Sequence, residues 1–290
     1  MLLKIGSTGH NVKELQEFLG LTADGIFGRN THNAVKAWQS KNDLEADGIV
    51  GPATWDAMQL ATTDESEKGD FNFVIYQHYL PKGEYKEGPT NKEYLFLHHT
   101  AGWHNPYDTI KNWGRDTRGT VATEFVIGGQ SVKGNDDRYD GEIVQTFPEG
   151  GYGWHLGRNG SSYMHSHSVG IEVNNFGWIK DGKTYAGTRV DSSQIVNLDQ
   201  AFRGHKTWHR YSDKQIYSLR ELILYIGERD NIDIRKGLPA LVKDKGVKAF
   251  EFNEDAFYGR VKGLWTHTNT RKDKSDMFPQ PELLDMLTAL

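Results

Sequence analysis

The stretch "YLFLHHTAGW", Tyr94–Trp103, joins a run of apolar and aromatic residues to two adjacent histidines. Such a run is typical of a buried β-strand that ends where the histidines begin. Side chains alternate between two faces along a strand, so only one of His98 and His99 can face a given site. The pair is either a polar strand end or the source of one metal ligand, and a metal needs further ligands elsewhere in the chain.

Composition limits what those ligands can be. The chain of 290 residues contains no cysteine, so a metal would be held by His, Asp or Glu. The net charge of -5 lacks the basicity of nucleic-acid-binding proteins, and no stretch approaches the roughly 20 apolar residues that span a bilayer. We therefore expect a monomer that binds neither nucleic acids nor membranes. The first residues lack the apolar stretch of a signal peptide, so we expect synthesis in the cytoplasm.

Further strand and helix patterns follow this stretch. The segments "TEFVIGG" at 123–129 and "HSVGIEVNN" at 167–175 are typical of strands. The segment that begins at Ser212 is typical of a helix, because Ser212 suits the N-cap and Ile216, Leu219, Ile223 and Ile226 share one side. Strands mixed with helices predict an α/β domain.

The start of the chain contains an internal repeat. The segment "LTADGIFGRNT", Leu21–Thr31, recurs 23 residues later as "LEADGIVGPAT", Leu44–Thr54. Asp-Gly predicts a turn in each copy, and the final threonine of each copy, Thr31 or Thr54, is expected to cap the following helix. Together with the apolar residues at helical spacing on either side, the repeats predict a compact unit of three short helices.

A polar, acidic stretch without periodicity, "ATTDESEKGD" at Ala61–Asp70, follows the repeats. Such a composition is typical of a linker. The sequence therefore predicts a small all-α domain at 1–60, a linker at 61–72 and an α/β domain at 73–290.

Two further segments carry groups that suit a metal site. Glu172 stands inside an apolar strand, where a carboxylate is costly unless a cation or a proton-transfer role accompanies it. An edge strand with Glu172 facing solvent explains the pattern equally well. The segment 264–283 supplies the other candidates, which are His267, Lys274 and Asp276.

Residues Met1–Leu60 resemble the peptidoglycan-binding domain that stands beside cell-wall hydrolases. The resemblance rests on "GSTGHNVKELQEFLG" and on both D-G-I-x-G-x-x-T turns. It implies a module that attaches to wall glycan or stem peptide without catalysis. A generic three-helix bundle is the alternative.

Residues Phe73–Leu290 resemble the zinc-dependent N-acetylmuramoyl-L-alanine amidases of the type 2 family, which share a fold with peptidoglycan recognition proteins. Five pieces stand in family order, namely "HHTAG", "TEFVIGG", "YGWHLG", "HSVGIEV" and H-x6-K-x-D. The resemblance implies a central mixed sheet flanked by helices. It also implies a Zn²⁺ enzyme that hydrolyses the amide bond between N-acetylmuramic acid and L-alanine of peptidoglycan.

Carried over residue by residue, the resemblance assigns the zinc ligands to His98, His267 and Asp276. Lys274 matches the catalytic lysine of the family, and Glu172 matches the carboxylate that acts as general base. Asp276 follows His267 by nine residues where the family usually has eight, which we interpret as a one-residue loop insertion. Asp273 is a weaker candidate for the third ligand.

Four residues are predicted to contact substrate, and these are Thr123, Glu124, Trp154 and His155. A hydrogen-bonded structural role is the alternative for His155. Related enzymes often have Tyr, or Ala then His, where this chain has Thr123-Glu124, so a tyrosine-assisted mechanism is not expected. Glu124 is then a partner of the site's residues or a rival base. Segments 178–211 and 231–263 are longer than the family leads us to expect.

The combination of wall-binding module and amidase resembles a bacteriophage endolysin, which waits in the cytoplasm until a holin opens the membrane. Two other functions share parts of the pattern. One is recognition of peptidoglycan without cleavage, and the other is a zinc peptidase of the wall. The ligand set looks complete for an enzyme, and the S-x-H-x6-D arrangement of the peptidases is absent from the sequence.

Overall fold

The computed structural model describes residues 3–8, 10–42, 44–51, 54–55, 57–58, 73–88, 90–117, 119–157 and 160–290. The chain divides into two compact units, Met1–Lys68 and Gly69–Leu290. The predicted linker at 61–72 lies outside the described residues. Within the described ranges, every helix is too short or too polar to span a bilayer.

The N-terminal unit is helical, as predicted. Its first two helices are α1 (His10–Phe18) and α2 (Arg29–Lys41), and residues 54, 55, 57 and 58 are helical as well. Apolar side chains from the helices and from the segments between them are buried together. This core consists of Leu3, Val12, Leu15, Phe27, Val35, Val50 and Met58.

A buried glutamine organises the first copy of the repeat. The side-chain amide of Gln16 donates to Asp24 Oδ1 at 2.7 Å and lies 3.1 Å from the hydroxyl of Thr31. Its carbonyl oxygen accepts from the backbone N–H of Gly25 at 2.8 Å. One side chain therefore joins α1 to the Asp-Gly turn and to the first turn of α2.

The second copy reproduces this network one repeat later. The side-chain amide of Gln39 donates to Asp47 Oδ1 at 2.9 Å and lies 3.1 Å from the hydroxyl of Thr54. Its carbonyl oxygen accepts from the N–H of Gly48 at 2.8 Å. The sequence repeat is thus a repeat of one hydrogen-bond arrangement.

The prediction that the two threonines cap helices was wrong. The N-cap of α2 is Gly28, and both Thr31 and Thr54 lie inside helices. Their hydroxyls are buried against Gln16 and Gln39, and this contact explains why each copy of the repeat ends in threonine.

Replacing Gln16 with alanine should destabilise the Asp-Gly turn of the first repeat copy, which contains Gly25. The change leaves the N–H of Gly25 without its acceptor, and an unsatisfied buried group costs about 1–3 kcal/mol. Hydrogen exchange of the Gly25 amide in the full chain should therefore accelerate roughly 5- to 150-fold. Lys13→Ala, on the exposed side of α1, is the control and should leave this exchange rate unchanged. Equal rates in both variants would contradict the role given to Gln16.

The C-terminal unit is built on a mixed sheet, as predicted. The strands are β1 (Ile75–Gln77), β2 (Tyr94–His99), β3 (Phe125–Ile127), β4 (Ile143–Gln145), β5 (Ser168–Val173), β6 (Ile195–Phe202), β7 (His205–His209) and β8 (Gly263–Thr266). In the sheet order β1-β4-β3-β5-β2-β8, β3 pairs antiparallel with β4 and the other neighbours are parallel. Strands β6 and β7 form a separate antiparallel pair.

Helices cover this sheet, and the longest begins where the sequence predicts. The hydroxyl of Ser212 accepts from the backbone N–H of Gln215, and the Gln215 side chain returns a bond to Ser212, which is a capping box. The apolar side of this longest helix, Asp213–Arg229, packs into the core that also contains residues of β2, β3 and β5. The helices are α3 (Pro106–Trp113), α4 (Ser162–Ser166), α5 (Asp213–Arg229), α6 (Leu238–Lys245), α7 (Glu254–Phe257), α8 (His267–Thr270) and α9 (Pro281–Thr288).

Three adjacent parallel strands position the candidate site. The register pairs His98 of β2 with Glu172 of β5, and Leu97 of β2 with Thr266 of β8. His267 follows directly, so two imidazoles and a carboxylate stand at the carboxyl ends of neighbouring strands, where α/β proteins place their ligands. Because β5 lies between β3 and β2, the edge-strand interpretation of Glu172 was wrong.

Candidate metal centre and active-site groove

Three buried side chains converge at the end of β2. His98 Nδ1 lies 3.2 Å from His267 Nδ1 and 3.4 Å from Asp276 Oδ2. His267 Nδ1 lies 2.9 Å from Asp276 Oδ2. Among the residues that the structure describes, no other group of three or more His, Asp or Glu side chains has the spacing of a metal site.

The separations of these three atoms fit a zinc ion. Zinc binds nitrogen and oxygen at about 2.0–2.2 Å, so two ligand atoms of a tetrahedral site lie about 3.3–3.5 Å apart. The observed separation of 3.4 Å lies within that range, and the separations of 3.2 and 2.9 Å are shorter. A set of two imidazoles and one carboxylate also leaves one of four positions open, as catalytic zinc sites require.

The protonation states of His98 and Asp276 suit a metal as well. Burial lowers the pKa of His98 to about 4, because it disfavours the charged imidazole. Burial alone would raise the pKa of Asp276, but the neighbouring His267 ring and the close contacts to both imidazoles hold that pKa well below 3.8. A neutral imidazole and an ionised carboxylate are the forms that bind metals.

The loop after β8 brings the third side chain to the cluster. The backbone N–H of Thr268 donates to the carbonyl of Asp276 at 3.2 Å, which folds the loop back onto the first turn of α8. Asp273 lies outside the cluster, where its carboxylate accepts from Arg271 Nε at 2.9 Å. The structure therefore brings Asp276, and not Asp273, to the two histidines.

The cluster lies in a groove of about 1210 Å³ that Glu172 and Lys274 also line. Within the described part of the chain, the Glu172 carboxylate makes no hydrogen bond to protein. Burial raises its pKa well above 4.5, Asp276 adds to the rise, and Lys274 opposes it. A carboxyl with a raised pKa is a stronger base than an ordinary carboxyl and suits proton transfer.

Two residues of "YGWHLG" reach the groove in different ways. Trp154 is 45% exposed, and its ring stacks on His165 with 5.2 Å between ring centres. His155 Nδ1 lies 3.0 Å from His98 Nε2, and His155 Nε2 lies 2.8 Å from Ser168 Oγ. Both ring nitrogens of His155 are thus occupied by protein, and burial holds its pKa well below 6.5.

The structure separates the two residues of the Thr123-Glu124 pair. Thr123 is buried in the groove wall, and its hydroxyl donates to the carbonyl of Phe125 at 2.8 Å. Glu124 does not line the groove, and the residue of β3 in register with Glu172 is Val126.

Glu124 instead forms a buried ion pair with Arg229 of α5, with 2.6 Å between Arg229 Nη1 and Oε1 and 3.2 Å between Nη2 and Oε2. The assignment of Glu124 as a substrate contact or rival base is therefore corrected to a structural role.

The sequence did not predict two residues that hydrogen-bond to the histidines of this region, Tyr211 and Ser168. His99, the second histidine of the pair, bonds through Nδ1 to the hydroxyl of Tyr211 at 2.7 Å. Ser168 holds the far side of His155. Neither Tyr211 nor Ser168 belongs to a residue type or spacing that marks such a role, so the sequence offered no signal for them.

Two family profiles match the chain. The profile described as "Putative peptidoglycan binding domain" matches residues 8–58. The profile described as "N-acetylmuramoyl-L-alanine amidase" matches residues 88–274. No curated protein matches the chain.

Several solved structures resemble parts of the chain. A Burkholderia AP3 phage endolysin is 37% identical over 22% of this chain and 27% of its own, with a TM-score of 0.21, so the chain spans about a quarter of that protein. The catalytic domain of XlyA is 20% identical over 56% of this chain and 80% of its own, with a TM-score of 0.35. The amidase AmiD from E. coli is 22% identical over 51% and 47%, with a TM-score of 0.31.

Proposed function

Since the chain belongs to the N-acetylmuramoyl-L-alanine amidase family, we propose that it is a zinc enzyme that hydrolyses the amide bond between N-acetylmuramic acid and L-alanine in peptidoglycan. The observation that carries this proposal is the triangle of His98, His267 and Asp276 beside the carboxyl of Glu172 in one groove. The N-terminal unit matches the peptidoglycan-binding family, and we propose that it holds the enzyme on the wall.

Amide hydrolysis is slow because neutral water is a poor nucleophile and the tetrahedral oxyanion is unstable. When bound by His98, His267 and Asp276, zinc would lower the pKa of a water molecule to about 7 and polarise the scissile carbonyl. The protein's part is to hold three ligand atoms in a triangle that lines the groove, two of them at the ends of the neighbouring strands β2 and β8 and the third in the loop that follows.

Glu172 is proposed as the general base and acid. Its register with His98 places both side chains on the same face of neighbouring strands, so its carboxylate faces the groove beside the ligand cluster. There it would take the proton of the attacking water and pass it to the leaving amine of L-alanine. The raised pKa favours a carboxyl that holds the proton between these two steps.

Lys274 is proposed to stabilise the developing oxyanion. Its side chain lines the same groove, and its charge acts on both Glu172 and His98. A positive group that stands ready where negative charge develops is worth on the order of 3 kcal/mol in the barrier.

The test of this proposal is product analysis with metal control. The full chain should release stem peptides with a free L-alanine amine from purified peptidoglycan, as mass spectrometry would show. A chelator should abolish this release, and added zinc should restore it, because the metal would lower the pKa of the attacking water and polarise the scissile carbonyl. Cleavage inside the stem peptide would identify a peptidase, and binding without release would identify a recognition protein. Either result contradicts the proposal.

A lytic role of the endolysin type is proposed as the setting of this activity. The support for it is the presence of a peptidoglycan-binding match and an amidase match in one chain. Peptidoglycan, as glycan strand with stem peptide, is then the partner of both units. Release through a holin stays a prediction.

A further inference from the structure

The motif "HSVGIEV" presents one face of β5 to His155. Ser168, Gly170 and Glu172 alternate along the strand and so share that face. A Cβ on Gly170 would lie 3.1 Å from His155 Cγ and 2.7 Å from Thr123 Cγ2. Glycine at this position therefore leaves the space that the His155 ring fills, between a serine on one side and the general base on the other.

The ring in this space bridges a metal ligand and the strand. Its Nδ1 lies 3.0 Å from Nε2 of His98, and its Nε2 lies 2.8 Å from Oγ of Ser168. His98 is buried, and the planes of the two imidazoles are nearly perpendicular, at 88°. The nitrogen of His98 that faces away from the cluster is thus bonded to a second histidine.

The position of His98 against the cluster decides which nitrogen atoms of His98 and His155 carry protons when a metal is bound. A neutral imidazole has one N–H donor and one acceptor nitrogen. Nδ1 of His98 faces His267 and Asp276, so its lone pair is free for a metal only when the proton sits on Nε2. His98 then donates to His155 Nδ1, and His155 donates to Ser168. The reverse direction would place a proton on the nitrogen that binds the metal.

We propose that His155 is a positioning residue for the metal, which accepts the Nε2 proton of His98 and so fixes the tautomer and orientation of that ligand. Ser168 holds His155 in turn. Ligating histidines usually direct this second N–H to a carboxylate, a carbonyl or water, and loss of such a partner typically weakens metal binding 10- to 100-fold. The inference rests on the proposed zinc site, and it replaces the predicted substrate contact of His155.

Three variants of the full chain test the inference through zinc affinity, measured by competition with a chromophoric chelator. His155→Leu removes the acceptor and should weaken zinc binding about 10- to 100-fold. His155→Asn puts an amide oxygen near the position of Nδ1 and should stay close to wild type. Ser168→Ala keeps the His155 ring but removes its hydrogen bond to Ser168, and should weaken zinc binding less than His155→Leu does. His167→Asn is the control, because its ring contacts Tyr163 and Ser166 and none of the ligands.

A spectroscopic readout separates positioning from a general loss of fold. In Co²⁺-loaded protein, the visible absorption should change in His155→Leu and return in His155→Asn. Wild-type zinc affinity in both His155→Leu and Ser168→Ala, with a raised KM for peptidoglycan, would overturn the inference and restore a substrate contact. If His155→Leu does not fold, equal affinities of wild type and Ser168→Ala overturn it. Absence of zinc binding by the wild-type protein would instead contradict the proposed function.

Discussion

Asp276→Ala will abolish zinc binding and lower amidase activity by about 10³-fold or more. The carboxylate is one corner of the ligand triangle, 2.9 Å from His267 Nδ1 and 3.4 Å from His98 Nδ1. A metal supplies several kcal/mol of transition-state stabilisation, and each 1.36 kcal/mol is about tenfold in rate. Zinc content after dialysis and the rate of stem-peptide release together measure the effect.

Asp273→Ala is the matched control for this change. Asp273 lies three positions earlier in the same loop and pairs with Arg271, so its removal should leave zinc affinity unchanged. Asp276→Asn keeps the volume of the side chain and guards against a loss that reflects misfolding alone. Equal zinc affinities of Asp276→Ala and Asp273→Ala would refute the ligand assignment.

Glu172→Gln will lower kcat by about 10²- to 10⁴-fold, the usual contribution of a general acid–base group. Zinc affinity should not change, because Glu172 stands outside the ligand triangle. The substitution preserves shape and removes only the proton-accepting function. Glu149→Gln, an exposed site, controls for the loss of one negative charge. Retained kcat in Glu172→Gln would place the base elsewhere.

The same variant should be more stable than wild type in the metal-free state. Burial raises the pKa of Glu172 above 4.5. As pH rises past this value, the unfolded chain releases its proton before the folded one does, so the wild-type free energy of unfolding falls. Glutamine has no such loss, so chelator-treated Glu172→Gln should match wild type near pH 4 and exceed it at about pH 8. Thermal unfolding at the two pH values measures this difference, and equal curves would speak against a costly buried carboxyl.

The sequence was sufficient to predict the architecture and the strands and helix on which the motifs lie. The apolar run before His98 and the apolar residues around the carboxylate in "GIEV" each predict a strand, and the serine before α5 predicts a helix cap. The structure confirms these as β2, β5 and the capping box of α5. The convergence of His98, Glu172 and His267 could be expected only from the family resemblance, because register between strands distant in sequence has no local signature.

The misses have a common physical origin. Glu124 resembled a site residue because it is a carboxylate beside a strand, but it does not line the groove and its carboxylate pairs with Arg229. Thr31 resembled a cap because threonine is common there, but its hydroxyl serves a buried glutamine. In each case the partner is distant in sequence, and the partner decides the role.

The parallel pairing of β2 with both β5 and β8 has a consequence for biosynthesis. The groups that must meet for cleavage span residues 98–276, and the edge strand β8 with the loop behind it arrives last. While a ribosome still holds the segment that follows β5, the nascent polypeptide has only one of the three side chains of the proposed metal site. The site can therefore assemble only after β8 and the loop behind it have been synthesised.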